Sequence, residues 1–322
     1  MRSLFRILAG ACCALALAAG GPAQAAFPDQ PIRIIVAFGP GGLADITVRL
    51  VGEKLTRLLG QPVVIDNRPG AGGIPAAQAA MSAKADGYTL LVVSNGTAIT
   101  KSLYKKLPFD PEKDFTPVSL MAYYDLALLV RKDSPYRSLA DLLADVRAHP
   151  GKINFATINP GSTQNLSAEL FKTAAGIDAA IVPFRNTPDV TRALLAGDVE
   201  IGFESYAALK AQIDSGSLRA LATSAAQRSG YLPSVPTVRE SGVAYEVTGW
   251  NGLAAPAGTP PEAVAVLNRA VNSIIAMPEI RQRFLGLGTE AFAGTPEDLR
   301  RQMAGDIVKW AAVIKRAGIP QE

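Results

Sequence analysis

Ile32, Ile34, Ile35 and Val36 stand close together just ahead of a run of glycines. So short a β-branched run predicts a strand buried on both faces. Gly39-Pro40-Gly41-Gly42 then gives a turn with little side-chain bulk, and Ile46, Leu50 and Leu55 recur beyond it at roughly helical spacing. A strand, a bare turn and a helix aim backbone N–H groups and the positive end of a helix dipole at one point. Such a turn can hold an anion without Arg or Lys, and it can equally be a plain connection. No Gly-Lys-Ser/Thr follows, so it is not a P-loop. Ala44 stands where a dinucleotide fingerprint carries its third glycine, although Asp66 ends the next strand at a suitable distance.

The same alternation continues along the chain. Val63–Ile65, Thr89–Val93, Ala127–Val130, Asn154–Thr157, Ala180–Pro183, Val199–Phe203, Leu218–Ala222 and Trp250–Pro256 read as strands. Helices are expected over Ile74–Ala83, from an N-cap at Ser138 to Ala148, after Gln164 with Leu166, Leu170 and Phe171 on one face, and after Asp189. Three more are expected, one opening at Pro260-Pro261-Glu262, one near Pro278–Leu285 and one over Pro296–Ala317. Leu107–Pro117, rich in Pro and charge, is expected to lie over the surface. Alternating strands and helices imply α/β architecture with parallel sheets covered by helices.

Ligands of such sheets bind beyond the carboxyl ends of the strands. The strand ends here are Gly39–Asp45, Ser94–Thr97, Asn159–Gln164, Arg185–Thr187 and Glu204–Tyr206. They are mostly Gly, Ser, Thr, Asn and Gln. That composition suits hydrogen bonding to a small polar ligand and supplies no nucleophile–base pair, carboxylate pair or metal cluster.

Composition narrows the class. Arg2 and Arg6 precede an apolar stretch, Ile7–Gly20, that is too short to span a bilayer, and Ala23-Gln24-Ala25 has the small-x-small form of a signal-peptide cleavage site. Residues 1–25 are therefore expected to be a signal peptide cut before Ala26. The competing lipoprotein reading at Cys12 places its Leu one position too early. Both cysteines, Cys12 and Cys13, would leave with the signal, so no disulfide or thiolate chemistry is expected in the mature chain. A lone His149 excludes a His-rich metal site and argues against a Ser-His-Asp triad; before Pro150-Gly151 it is expected at a helix end. Loss of Arg2 and Arg6 lowers the formal charge from +4 to +2, too weak to argue for nucleic acid. No later apolar run reaches membrane-spanning length, and a soluble, exported protein of two lobes is expected. Export also argues against a nicotinamide enzyme.

Several stretches carry a resemblance: Val36-Ala37-Phe38-Gly39-Pro40-Gly41-Gly42 with Asp45 and Arg49, Asp66-Asn67-Arg68-Pro69-Gly70-Ala71-Gly72-Gly73, Ala85-Asp86-Gly87-Tyr88-Thr89, and Ala255-Pro256-Ala257-Gly258-Thr259-Pro260. In this order they resemble the Bug receptors, the periplasmic substrate-binding proteins of tripartite tricarboxylate transporters. The resemblance covers essentially the whole mature chain. It implies a type II periplasmic-binding fold, a venus flytrap in which each lobe is a mostly parallel sheet flanked by helices. The division expected is 26–125 with 248–322 as lobe one and 126–247 as lobe two, with crossings near Tyr124–Leu128 and Tyr245–Asn251. It further implies a monomer that binds a small carboxylate, without cofactor, and delivers it to the membrane permease subunits of a tripartite transporter. A ligand-presenting receptor for a sensor kinase is the alternative. An enzyme on the same bilobal fold, as in porphobilinogen deaminase, would need a cysteine that the mature chain lacks.

By this resemblance the ligand lies among Phe38, Gly41, Gly42, Leu43, Asp45, Ser94, Asn95 and Thr97 from lobe one. Lobe two would contribute Asn159, Ser162, Thr163, Gln164, Arg185, Glu204, Ser205 and Tyr206. N–H groups of Gly41, Gly42 and Leu43 would bind one carboxylate, with Ser94 and Thr97 as hydroxyl donors. Ser162 can also be a simple N-cap, and Asp45 can simply pair with Arg49 one turn on. Asn67 and Arg68 are expected as loop structure. The chain departs from the family at Phe184-Arg185-Asn186, at Asn165 where His is frequent, and at Glu204 where uncharged residues are usual. Glu204 either repels a second ligand carboxylate and favours an amine or N–H, or pairs with Arg185.

Overall fold

The computed structural model describes residues 27–321; the expected signal peptide and its cleavage site lie outside the described residues. Strand β1 (Ile32–Val36) forms as predicted, with Ile32, Ile34, Ile35 and Val36 fully buried. Helix α1 (Leu43–Leu59) follows the glycine turn and stops at Gly60, whose left-handed backbone lets its N–H reach Thr56 O. Leu55 is buried as expected, but it is joined by Val48 and Val51 rather than by Ile46 and Leu50. Asp45 and Thr47 are buried too, so the helix is turned toward that side.

Strands β2 (Val63–Asn67) and β3 (Thr89–Ser94) flank β1 in parallel, with Ile34 opposite both Ile65 and Leu90. Helices α2 (Ile74–Met81) and α3 (Asn95–Leu103) connect onward. The segment expected on the surface is instead pinned by Phe109 and Phe115, both buried and packed edge to face. Its charged positions face water while its aromatic ones sink into the core.

Strand β4 is much longer than expected and runs over Phe115–Arg131. Helix α4 (Leu139–Ala148) follows, capped by Ser138 and closed by His149, which is held by Asp145. A second parallel group consists of β5 (Asn154–Ile158), β6 (Ala180–Phe184) and β7 (Ile201–Ser205), with β5 between the other two. Helices α5 (Thr163–Ala175), α6 (Thr187–Ala196) and α7 (Tyr206–Asp214) leave the ends of these strands. Strand β8 (Leu218–Thr223) and strand β9 (Thr248–Pro256) also pair with β4, both antiparallel. The chain ends in α8 (Pro261–Ile275), α9 (Pro278–Gly286), β10 (Glu290–Ala291) and α10 (Pro296–Ala317).

The two lobes share one strand. Phe115–Asp125 of β4 pairs with β9, Asp125 lying opposite Thr248. From Leu126, opposite Ser205, β4 pairs with β7 and β8. The parallel triplets were expected; the antiparallel strands arise where the chain crosses between them. Gly249 is needed at the crossing, because a Cβ there would lie 2.1 Å from the Tyr124 ring. Next to it Trp250, fully buried, donates its Nε1–H to Asp306 of α10 at 2.7 Å. Helix α10 packs on α3, β4 and α5, so it braces the crossing from behind.

Candidate functional site

Six helices begin at one cavity of about 830 Å3. Its wall includes the N-caps of α1, α2, α3, α5 and α7 (Gly42, Gly73, Ser94, Ser162 and Ser205) and the first residue of α6, Thr187. The first turn of a helix leaves N–H groups without intrahelical partners and carries partial positive charge. Glu204 is the single Asp, Glu, Lys, Arg or His among the described residues of the wall. The cavity therefore offers an anion neutral donors and dipoles, with no cationic side chain.

The glycine turn is held from behind. Asp45 is buried; its carboxylate accepts the Gly41 N–H at 2.9 Å, Arg49 Nε at 3.0 Å and Asn67 Nδ2 at 2.8 Å. Asn67 lies opposite Val36 in the β1–β2 register and also donates to Phe38 O, so it is a strand residue that braces the turn. Burial would raise the Asp45 pKa, but the bonds from Arg49, Gly41 and Asn67 and the Arg49 charge together bring it below 3.8. Its support is thus present at neutral pH and is lost only as pH falls through that lowered value. Asp45→Ala is expected to cost about 1–3 kcal/mol in urea unfolding, because it leaves Gly41 N–H and Asn67 without their acceptor. Ligand affinity should fall with it. An unchanged midpoint and affinity would show that the turn needs no such brace.

At the end of β3, the Ser94 N–H donates to Thr97 Oγ1 at 3.1 Å, which leaves the Thr97 hydroxyl hydrogen to point elsewhere. In lobe two, Ser162 is the N-cap of α5: its Oγ accepts from Asn165 N and donates to Ile158 O. Asn165 itself holds the turn through Gly161 N and Thr157. Glu204 is fully buried. Its Oε1 accepts Gln164 Nε2 at 2.6 Å and Ser205 N at 2.7 Å, and its Oε2 accepts Thr187 Oγ1 at 2.8 Å. Burial pushes its pKa up, against the pull of those three donors. Ile99, Leu103, Tyr104, Tyr124 and Trp250 give the cavity apolar wall as well, suited to a carbon skeleton.

Of the expected residues, Phe38, Gly42, Leu43, Ser94, Thr97, Asn159, Ser162, Thr163, Gln164, Glu204 and Ser205 come together on the wall. Five do not. The Gly41 N–H is taken by Asp45, and Asp45 by Arg49 and Asn67. Asn95 is fully buried behind the wall, where it donates to Thr248 O and ties α3 to β9. Tyr206 is buried and stacked on Tyr231. Arg185 is exposed at the end of β6, and β5 stands between β6 and β7, so the expected pairing with Glu204 is replaced by the bonds to Gln164, Ser205 and Thr187. Tyr124, Thr187, Trp250 and Asn251 join the wall although none was expected as a binding residue. Thr187 had a signal as part of a polar strand end, and Tyr124, Trp250 and Asn251 lay in the expected crossings between the lobes.

Residues 47–319 match the model of the family described as tripartite tricarboxylate transporter family receptor. Protein BugT of Bordetella pertussis is 35% identical over 295 residues, 91% of this chain and 90% of its own. An R. palustris protein solved with adipate superposes with a TM-score of 0.81 at 35% identity, covering 92% of this chain and 100% of that one. MatC from Rhodopseudomonas palustris, solved with bound malate, gives 0.75 at 33% identity, covering 89% of this chain and 100% of its own.

Proposed function

The chain belongs to the family of tripartite tricarboxylate transporter receptors, and on that basis we propose that it captures a small organic acid in the periplasm and passes it to the membrane subunits of such a transporter. The observation that carries this reading is the convergence of six helix starts on a cavity whose wall has no Lys, Arg or His among the described residues. Bare N–H groups and hydroxyls grip a carboxylate by directed hydrogen bonds, and they release it again without a buried counter-ion to strand. The relatives solved with adipate and with malate support the carboxylate class.

In this reading residues 26–125 with 248–322 form one lobe and 126–247 the other. They close on the ligand by bending where β4 and β9 cross. The chain performs no reaction on its ligand. Gly42, Leu43, Ser94 and Thr97 hold the carboxylate, while Thr163, Gln164 and Ser205 face the rest of the molecule.

The test is a thermal-shift screen of monocarboxylates, dicarboxylates, tricarboxylates and amino acids. A ligand at about a hundred times its dissociation constant stabilises by about 2.7 kcal/mol, which raises the melting temperature visibly. Failure of every carboxylate to do so, or turnover of one that binds, would overturn the reading.

A further inference from the structure

We propose that Glu204 is a built-in occupant of the cavity's second anion site, so that this receptor selects an acid with one carboxylate and an ammonium or N–H donor at its far end. The inference rests on the reading that the cavity holds a small organic acid.

Three helix starts supply the evidence. Gln164 is the second residue of α5, Thr187 the first of α6 and Ser205 the N-cap of α7. Each donates one hydrogen bond to the same carboxylate, through Gln164 Nε2, Thr187 Oγ1 and Ser205 N. Three donors from three helix N-termini around one carboxylate make an anion-binding site, and the chain's own side chain already fills it. Gln164 Nε2 and Ser205 N can only donate, so Oε1 sits among the donors an ionised carboxylate wants, while the Thr187 hydroxyl suits either form at Oε2. No Lys, Arg or His among the described residues shares the wall with Glu204, so its charge is stabilised by dipoles alone and stays uncompensated.

The opposite end of the cavity has the reverse character. There the first turns of α1 and α3 present N–H groups and the Thr97 hydroxyl. The one nearby acid, Asp45, is spent on Gly41, Arg49 and Asn67. A cavity with donors on its lobe-one side and the Glu204 carboxylate on its lobe-two side complements a molecule that is anionic at one end and a donor at the other. A dicarboxylate would set its second charge against Glu204 with no cation between them, and the mutual repulsion would count against it.

The experiment is calorimetry on the native protein and on Glu204→Gln with acids paired by methylene count: succinate with β-alanine, glutarate with γ-aminobutyrate, adipate with δ-aminovalerate. Glutamine keeps an oxygen for Gln164 and Ser205, and the Thr187 hydroxyl can turn to accept from its amide. The native protein is expected to bind the amino acid of the best pair at least tenfold tighter than the matching diacid. Glu204→Gln is expected to reverse that order. A native preference for the diacids would overturn the inference and leave the organic-acid reading standing. Equal selectivity in the native protein and the variant would also overturn it. If no acid of either series, nor any acid of the wider screen, binds native protein or variant, the organic-acid reading falls and the inference with it. Should the variant not fold, the native comparison alone decides.

Discussion

Asp125→Asn is expected to raise the melting temperature by several degrees at about pH 8 and to leave it nearly unchanged at about pH 4. Asp125 is the last residue of β4 that pairs with β9, and it is buried. Its carboxyl takes the Ser229 hydroxyl, its N–H donates to Tyr231 Oη at 3.0 Å, and Glu290 stands nearby, holding the Gly230 N–H. Burial pushes the Asp125 carboxyl up to about 7; the bond from Tyr231 opposes this and the Glu290 charge adds to it. In the unfolded chain the same group titrates near 3.8. Between those values the folded chain keeps a proton that the unfolded chain releases, so stability falls as pH rises through this window. Below 3.8 both states are protonated and nothing is lost. Above about 7 the loss is complete, and a rise from 3.8 to about 7 corresponds to about 4 kcal/mol. Asparagine keeps an acceptor for Ser229 and removes the titration. Melting curves of both proteins across the window check it. If the asparagine variant is destabilised equally at both ends, the ionised carboxylate belongs in the folded state and the argument fails.

The strand framework was legible because buried parallel strands write themselves as nearly continuous apolar runs, as Ile32–Val36 and Thr89–Val93 do. Two helix starts at the cavity were not read. Ser94-Asn95-Gly96-Thr97 has the composition of a turn, yet α3 begins at Asn95, directly after the strand. The spacing of Ser94 to Thr97 was the available sign of a cap, and Thr97 Oγ1 does take the Ser94 N–H. Helix α7 likewise begins at Tyr206 with no loop after β7, which leaves no punctuation for a sequence reading to find.

Other features depend on register between distant segments, and no local pattern encodes that. Asn251 reaches the cavity because β9 runs antiparallel to β3 with Asn251 opposite Ser94. Asn67 braces the glycine turn because β2 lies beside β1. The pairing of Asp45 with Arg49 is a four-residue helical spacing and could be read directly. Glu204 was visible as a charge at a strand end, but its surroundings were not. The strand order β7-β5-β6 moves Arg185 away and brings Gln164 in from β5's own helix.

Gly42→Pro is expected to weaken binding of the best carboxylate from the screen by about 10- to 100-fold while the protein stays folded. Gly42 is the N-cap of α1 and already has φ −75, within the range that a proline ring imposes. A Cβ at this position would lie 3.6 Å from Gly39 O, an ordinary contact. The substitution therefore removes an N–H from the cavity wall at a φ that already suits the ring, and what demand it makes falls on the preceding Gly41, at φ +84. A hydrogen bond to a charged partner contributes about 1.5–3 kcal/mol, which corresponds to the fold-change stated. Gly42→Ala is the control: it keeps the N–H and adds the same Cβ, and it should bind within about threefold of native. Calorimetry gives the affinities and circular dichroism the fold. A folded proline variant with native affinity would make the glycine turn a connector. Loss in both variants would mean that the added carbon, not the missing N–H, disturbs the site. Only loss confined to proline assigns the carboxylate to the backbone at the start of α1.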